Sequence, residues 1–283
     1  MIQQWLEEYH PKDQQEAEQA LREIMQEVTL AGLNRSSFFK KAAFYGGTAL
    51  RIFYGLNRFS EDLDFSLLES DPSFFLEPYL DGIEKEFSAL GMKISINEKK
   101  KSKQTNIDSA FLKSETIWKE LILENIIPQS GLRMSPAIKI KLEVDTDPPL
   151  GFTTEDKLLL KPFSFYVNCF TLPDLFAGKM HALLFRKWKQ RVKGRDWYDM
   201  EWYIKRGVPL HLGHFLSRAR ASGDWKEKNI TKEQFMQLLY DKIETISFDR
   251  IREDIVRFIP DDKVLDIWSP GYFKDLTGQI KFR

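Results

Sequence analysis

The chain has 283 residues, 42% of them hydrophobic, and its 42 lysines and arginines equal its 42 aspartates and glutamates. That length and apolar share fit one large or two modest folded domains and exclude a disordered chain. Zero net charge excludes nucleic-acid binding through bulk charge, so a polyanion needs a local basic patch, and the single cysteine, Cys169, excludes an internal disulfide or a cysteine-built zinc site.

The opening MIQQWLEEYH is acidic and has no apolar stretch, so no signal peptide is expected. No apolar run approaches the roughly 20 residues that cross a membrane. A soluble, cytoplasmic protein is the expectation. Ala17, Leu21, Ile24, Met25 and Val28 recur at helical spacing and predict an amphipathic helix closing near Gly32. FFKKAAFYGG reads as a strand ending at Gly46 and Gly47. TALRIFYGL reads as a helix with Thr48 near its amino end, and EDLDFSLL as a second strand. FLEPYLDGIEKEFSALG predicts a helix, KISINE a strand, and KKKSK a solvated basic hairpin tip. In AIKIKLEVDT, Ile138, Ile140, Leu142 and Val144 share one face, and Lys139, Lys141, Glu143 and Asp145 share the other. DPP ends that strand. FSFYVNCF predicts another, with Cys169 a buried thiol. Helical patterns follow in LPDLFAGKMHALLFRKW, with Pro173 in its first turn, in RDWYDMEWYIKRG and in TKEQFMQLLYDKIE. The expected fold is α/β (α+β). A mixed-sheet core with an N-terminal helix occupies residues 1–170, and a helical half, residues 171–283, packs on it with a cleft between.

The stretch GGTALRIFYGLNRFSEDLDFSL carries the chemistry. Alternate strand residues point the same way, so Asp62 and Asp64 project together while Leu63 and Phe65 face the core. Two carboxylates that close repel unless a cation lies between them. Hard oxygen ligands suit Mg²⁺, which takes one or two carboxylates plus substrate phosphates. Gly46 and Gly47 let backbone approach a phosphate, and the following helix offers its free N–H groups to the same anion. Together these features predict a site for a metal-chelated nucleoside triphosphate. Each alone has a bland reading, the aspartates as a strand edge and the glycines as a turn.

Glu143, on the polar face of a separate strand, would complete a two-metal clamp or activate the attacking hydroxyl. Lys141 shares that face and would neutralise phosphate. Asp145 lies there too, and a solvated Lys–Glu ladder is the competing reading. Lys179 on a helix would reach the triphosphate as a point charge, or snorkel over apolar surface. Asp196 and Asp199, one helical turn apart, would orient Lys179 or ligate directly, or form a structural salt-bridge cluster. FRKWKQRVKGR gathers Arg186, Lys187, Lys189, Arg191, Lys193 and Arg195 around Trp188. It reads as an RNA-backbone contact with a stacking ring, or as a solvated helix end. The lone His181 reads as structural.

GGTALRIFYGLNRFSEDLDFSL, IKLEVD and DLFAGKMHALLFR…KGRDWYDM resemble, in this order, the motifs of the AbiEii-type nucleotidyltransferase toxins, within the DNA polymerase β-like nucleotidyltransferase superfamily. The resemblance runs over roughly residues 35–205, and its first motif matches through Gly47, Arg51, Arg58, Ser60, Asp62, Leu63, Asp64 and Phe65. It implies a polymerase β-like core and transfer of a nucleotide from a triphosphate to an acceptor, in some members the acceptor end of tRNA. It also implies a role in toxin–antitoxin or phage-defence systems, with a cognate antitoxin as partner. By position it implies that Asp62, Asp64 and Glu143 hold two Mg²⁺ (or Mn²⁺) ions. Gly46, Gly47, Thr48, Arg58, Ser60, Lys141, Lys179 and Asp196 would then bind the nucleotide. Where the superfamily often has Gly-Ser this chain has Gly-Gly, with Thr48 next to supply a hydroxyl. Two alternatives stand beside a transferase acting on RNA: a protein-nucleotidylating enzyme, and a non-catalytic nucleotide- or partner-binding module of the same fold.

Overall fold

The computed structural model describes residues 1–98, 116–124, 137–186 and 192–283. After a short helix α1 (Ile2–Glu8), the Asp13 carboxylate accepts a hydrogen bond from the Glu16 amide at 2.8 Å and starts α2 (Gln14–Arg35). The helix runs three residues past Gly32, where the sequence predicts its end. A Cβ on Gly32 would lie 2.5 Å from the Ile83 Cα atom of α4 (Glu77–Ala89), beside Gly82. Gly32 is therefore spent on a backbone-to-backbone helix crossing rather than on a terminus.

Strand β1 (Ala42–Tyr45) is shorter than FFKKAAFYGG predicts, because Phe38–Lys40 form a 3-10 turn. Ser37 sits at φ 59° and reverses the chain there. The buried Phe38 ring then packs edge-on against Phe65 and Tyr79. Helix α3 (Gly46–Tyr54) opens two residues earlier than predicted, so Gly46 and Gly47 form its first turn rather than the end of β1, and it stops at the left-handed Gly55; strand β2 (Asp62–Leu67) follows as predicted, then β3 (Ile94–Glu98), β5 (Ala137–Asp145) and β7 (Phe165–Phe170). Strands β4 (Thr116–Glu124) and β6 (Thr154–Leu159) were not anticipated. The KKKSK tip lies outside the described residues.

Among the described residues the seven strands form one mixed sheet in the order β3-β4-β5-β2-β1-β7-β6. The pairs β2·β5 and β1·β7 are parallel and the rest antiparallel. One face packs on α2 and α4 through Phe44, Leu63, Phe65, Ile140, Leu142, Val144 and Cys169, all fully buried. Each buried phenylalanine there contributes about 1.5–3 kcal/mol. The burial of Ile138 through Val144 at every second position bears out the predicted two-faced strand.

The other face is covered at β1 and β7, where Ala43 and Phe170 join a second core. That core is built by α5 (Leu172–Phe185), α6 (Gly194–Lys205), α7 (Leu212–Ala221), α8 (Lys232–Thr245), α9 (Phe248–Ile255) and α10 (Pro270–Thr277). On β2 and β5 the same face carries Asp62, Asp64, Lys141, Glu143 and Asp145, each only part-buried. Polar strand surface thus begins where the helical cover over β1 and β7 gives way. Among the described residues no helix is long and apolar enough to cross a membrane.

Candidate active site

The parallel pairing of β2 with β5 sets Asp62 opposite Lys141, Asp64 opposite Glu143, and Ser66 opposite Asp145. On its other side Asp64 is opposite Tyr45, the last residue of β1. Alternation then puts these polar groups on one face, behind which Leu63, Phe65, Leu142 and Val144 are fully buried. Burial, then Glu143, then Asp62 push the Asp64 carboxyl above the usual carboxylate range, against the weaker pull of Arg186 and Lys141. The same crowding, with burial first, raises the Tyr45 phenol.

Glu143 is ion-paired with Lys141. Among the described residues no three His, Cys, Asp or Glu side chains are already gathered as a metal cage. By chemistry the donor set nonetheless fits a hard divalent cation. It offers carboxylate oxygens from adjacent strands, and their mutual repulsion is what such an ion relieves.

The glycine pair lies directly on this face. Gly46 has φ 85°, and a Cβ there would strike the Asp64 carboxylate, 3.1 Å from its Cγ. A Cβ on Gly47 would sit 2.7 Å from Arg58 Nη2 and 2.9 Å from Ser60 Oγ. No side chain caps the N-terminus of α3, which the two glycines open, and its first peptide N–H groups are the ones an anion would use. Thr48 is fully buried and its hydroxyl donates to the Asp62 carbonyl at 2.5 Å, tying α3 to the start of β2. Replacing Gly46 with alanine is expected to cost about 1–2 kcal/mol in backbone strain. It is also expected to cut turnover about 10²-fold by displacing Asp64, as read by thermal unfolding and steady-state rates.

Behind the loop runs a buried charge network. Arg58, 2% exposed, donates from Nε and Nη2 to the two Asp199 oxygens, each at 2.6 Å, and from Nη1 to the Phe59 carbonyl. Asp199 also meets Lys179 Nζ at 2.8 Å, and Lys179 meets Asp196 at 2.8 Å. Burial works to raise both carboxyls. Arg58 and then Lys179 overcome it at Asp199, whereas Lys179, then Arg186, bring Asp196 down to about 2. Arg58 therefore stands beneath Gly47 as a support. Arg51, also in the first motif, turns away to pair with Glu23 at 2.8 Å. Lys179 and Asp196 lie in one network with Arg58, contributed by α5 and α6.

Two arginines extend the site. Arg186 acts electrostatically on both Asp64 and Asp196, linking the sheet face to the helices. Arg218 on α7 was missed by the sequence reading. It lies across Gly178, and its charge bears on Asp145 and Tyr45. No local pattern marks it, because only the packing of α7 on α5 brings it there. Residues 187–191, including Trp188, lie outside the described residues. His181 is buried and hydrogen-bonds Ser222 at 2.9 Å, as a structural histidine would.

The family model described as nucleotidyl transferase AbiEii toxin, type IV toxin–antitoxin system, matches residues 28–270. The match reaches well past residue 205, into helices that carried no recognisable motif. Among solved structures, the nucleotidyltransferase toxin MenT4 from Mycobacterium tuberculosis H37Rv is similar in fold, with a TM-score of 0.61 at 15% identity. The alignment covers 99% of this chain and 89% of that one. JHP933 from Helicobacter pylori aligns with a TM-score of 0.44 at 19% identity, over 90% of this chain and 87% of that one. No curated protein sequence matches the chain.

Proposed function

Because the chain belongs to the AbiEii family of nucleotidyltransferase toxins of toxin–antitoxin systems, we propose that it transfers a nucleoside monophosphate from a nucleoside triphosphate to a hydroxyl of an RNA, a tRNA end foremost. In this reading residues 1–170 form the transferase core and residues 171–283 add Lys179 and Asp196. The observation that carries the reading is the register of β2 on β5, with Asp64 beside Glu143 and Asp62 beside Lys141, under the Gly46 backbone.

Asp62, Asp64 and Glu143 would hold divalent cations, and Mg²⁺ suits their hard oxygens. When bound there, such ions would supply charge neutralisation at the attacking and leaving oxygens. The chain's own groups do the rest. Gly46, Gly47 and the α3 N-terminus cradle the polyphosphate through backbone N–H groups. Lys179 has three N–H donors, two of them directed to Asp196 and Asp199, which leaves one for a phosphate oxygen. Lys141 neutralises phosphate, and Glu143 accepts the proton of the attacking hydroxyl. A bond forms from that hydroxyl oxygen to the α-phosphorus as the bond to the β-phosphate oxygen breaks, and pyrophosphate leaves. Arg58 and Ser60 hold the glycine pair in place, and Thr48 fixes α3 to β2.

The test is incubation with α-labelled triphosphates and total RNA, followed by separation of RNA from protein. Label in RNA with matching pyrophosphate release is expected, and Asp62→Ala is expected to abolish both. Label confined to protein would instead identify a protein acceptor. Binding of triphosphate without pyrophosphate release would refute the transferase.

A further inference from the structure

Glu61, the residue before β2, is held from two sides. Its Oε1 lies 3.8 Å from Arg22 Nη1 of α2, and its Oε2 lies 3.4 Å from Arg195 Nη1 of α6. Both separations exceed the roughly 2.7–2.9 Å of a close charge-assisted contact. The Glu61 side chain is 44% exposed, and an exposed pair so loosely held adds little stability. Arg22 Nε, shielded from solvent, has no hydrogen-bond partner, and a shielded donor left unpaired opposes folding. Two guanidiniums thus converge on one carboxylate that leaves donors over.

The scaffold around them is firm. Gln26, one turn along α2 from Arg22, donates from Nε2 to the Ser60 and Glu61 carbonyls at 3.2 and 3.0 Å, which pins that backbone. The Arg195 guanidinium lies 4.1 Å over the Phe258 ring. The Glu61 side chain, open to solvent, is the part that can swing away.

This fork adjoins the glycine pair. A Cβ on Gly47 would lie 2.9 Å from Ser60 Oγ, and the Thr48 hydroxyl donates to the Asp62 carbonyl. The start of α3 therefore rests against residues 60–62. Arg195 also directly precedes Asp196, the partner of Lys179. The chemistry favours one kind of anion. A carboxylate offers two oxygens and one charge, and an internal RNA phosphodiester offers no more. A terminal phosphate offers three oxygens and up to about two charges, which two arginine forks match better than Glu61 does.

We propose that Arg22 and Arg195 clamp the terminal phosphate of the nucleoside triphosphate, and then the departing pyrophosphate, with Glu61 as the group that the phosphate displaces. The proposal rests on the transferase reading above and adds which side chains hold the leaving group. Arg22 lies outside the span matched by the family model, residues 28–270.

The probe is inorganic pyrophosphate, titrated by calorimetry into the full chain at fixed Mg²⁺. Arg22→Gln and Arg195→Gln are each expected to weaken its binding at least about tenfold, the loss of one hydrogen-bonded charge contact. Each should also shrink the difference in affinity between a nucleoside triphosphate and its monophosphate. Glu61→Gln removes the competing carboxylate and is expected to tighten pyrophosphate binding by up to about fivefold, the worth of an exposed ion pair. A Glu61 that merely bridges α2 and α6 would lower the melting temperature in all three variants and leave pyrophosphate affinity alone, which would overturn the clamp. Weaker binding in Glu61→Gln, or a loss at only one of the two arginines, would overturn it as well. Pyrophosphate binding needs no transfer, so the two readings fail separately. A chain that shows these affinity changes yet labels neither RNA nor protein keeps the clamp and loses the transferase. Label transfer with unchanged pyrophosphate affinity in both arginine variants overturns the clamp alone.

Discussion

Replacing Asp64 with asparagine is expected to lower nucleotide transfer at least about 10³-fold while making the metal-free protein more resistant to heat. The two effects share a cause. Asp64 lies opposite Glu143 on β5 and two residues from Asp62, and its ionised form is opposed by burial and by both of those charges. A buried charge that is repelled from two sides weakens the fold unless a cation compensates. Asparagine keeps the shape and removes the repulsion, so unfolding in the presence of a chelator should shift upward. In the proposed transfer the same change removes an anionic oxygen where charge develops, a loss on the order of 10³-fold at a preorganised site. Adding Mg²⁺ or Mn²⁺ should raise the melting temperature of the unmutated chain and leave Asp64→Asn nearly unmoved. A variant that is inactive and also less stable without metal would mean that Asp64 is a structural residue. A fully active variant would remove it from the chemistry.

The sheet face was legible because β2 and β5 alternate cleanly, and period-two patterns fix which side chains share a face. What a single strand cannot announce is its neighbour. That Asp64 meets Glu143 rather than Asp145 is a matter of register, and register is set by the whole sheet. Strands β4 and β6 escaped for a related reason. In β6 the sequence TEDKLL has three charged residues in succession and only Leu159 is buried, as expected for the sheet's last strand. The Phe38–Lys40 turn was read as strand because its two aromatic residues favour strands and nothing local reports that Ser37 reverses the chain. The glycine pair was legible as a close approach, but its underside was not. Arg58 reads as a nucleotide contact from its motif, and nothing in that motif announces its buried partner Asp199, 141 residues away. Arg218 carried no signal at all. Both are arginines whose partners are chosen by how the helices pack on the sheet, which spacing in the sequence does not encode.

Arg58→Met is expected to cost about 3–5 kcal/mol, the usual penalty for stranding one member of a buried ion pair. The methionine chain would fill most of the space, but Asp199, with no exposed surface, would keep only Lys179. The loss should appear as a fall in melting temperature of roughly 10 °C. Arg58→Lys should recover only part of this, since an ammonium cannot make the paired 2.6 Å contacts that Nε and Nη2 make now. The informative experiment is the double variant Arg58→Met with Asp199→Leu. Removing both charges leaves neither stranded, so stability should return toward that of the parent chain. Activity should not return. Gly47 rests against the guanidinium, and Lys179 is held between Asp196 and Asp199, so the double variant loosens the glycine pair and leaves the lysine with Asp196 as its one remaining partner of the two. A refolded but inactive double variant, with KM for the triphosphate raised, would establish that the pair positions the site across the two halves of the molecule. Recovery of turnover along with stability would reduce the pair to packing and place the burden of phosphate positioning on the backbone of Gly46 and Gly47 alone.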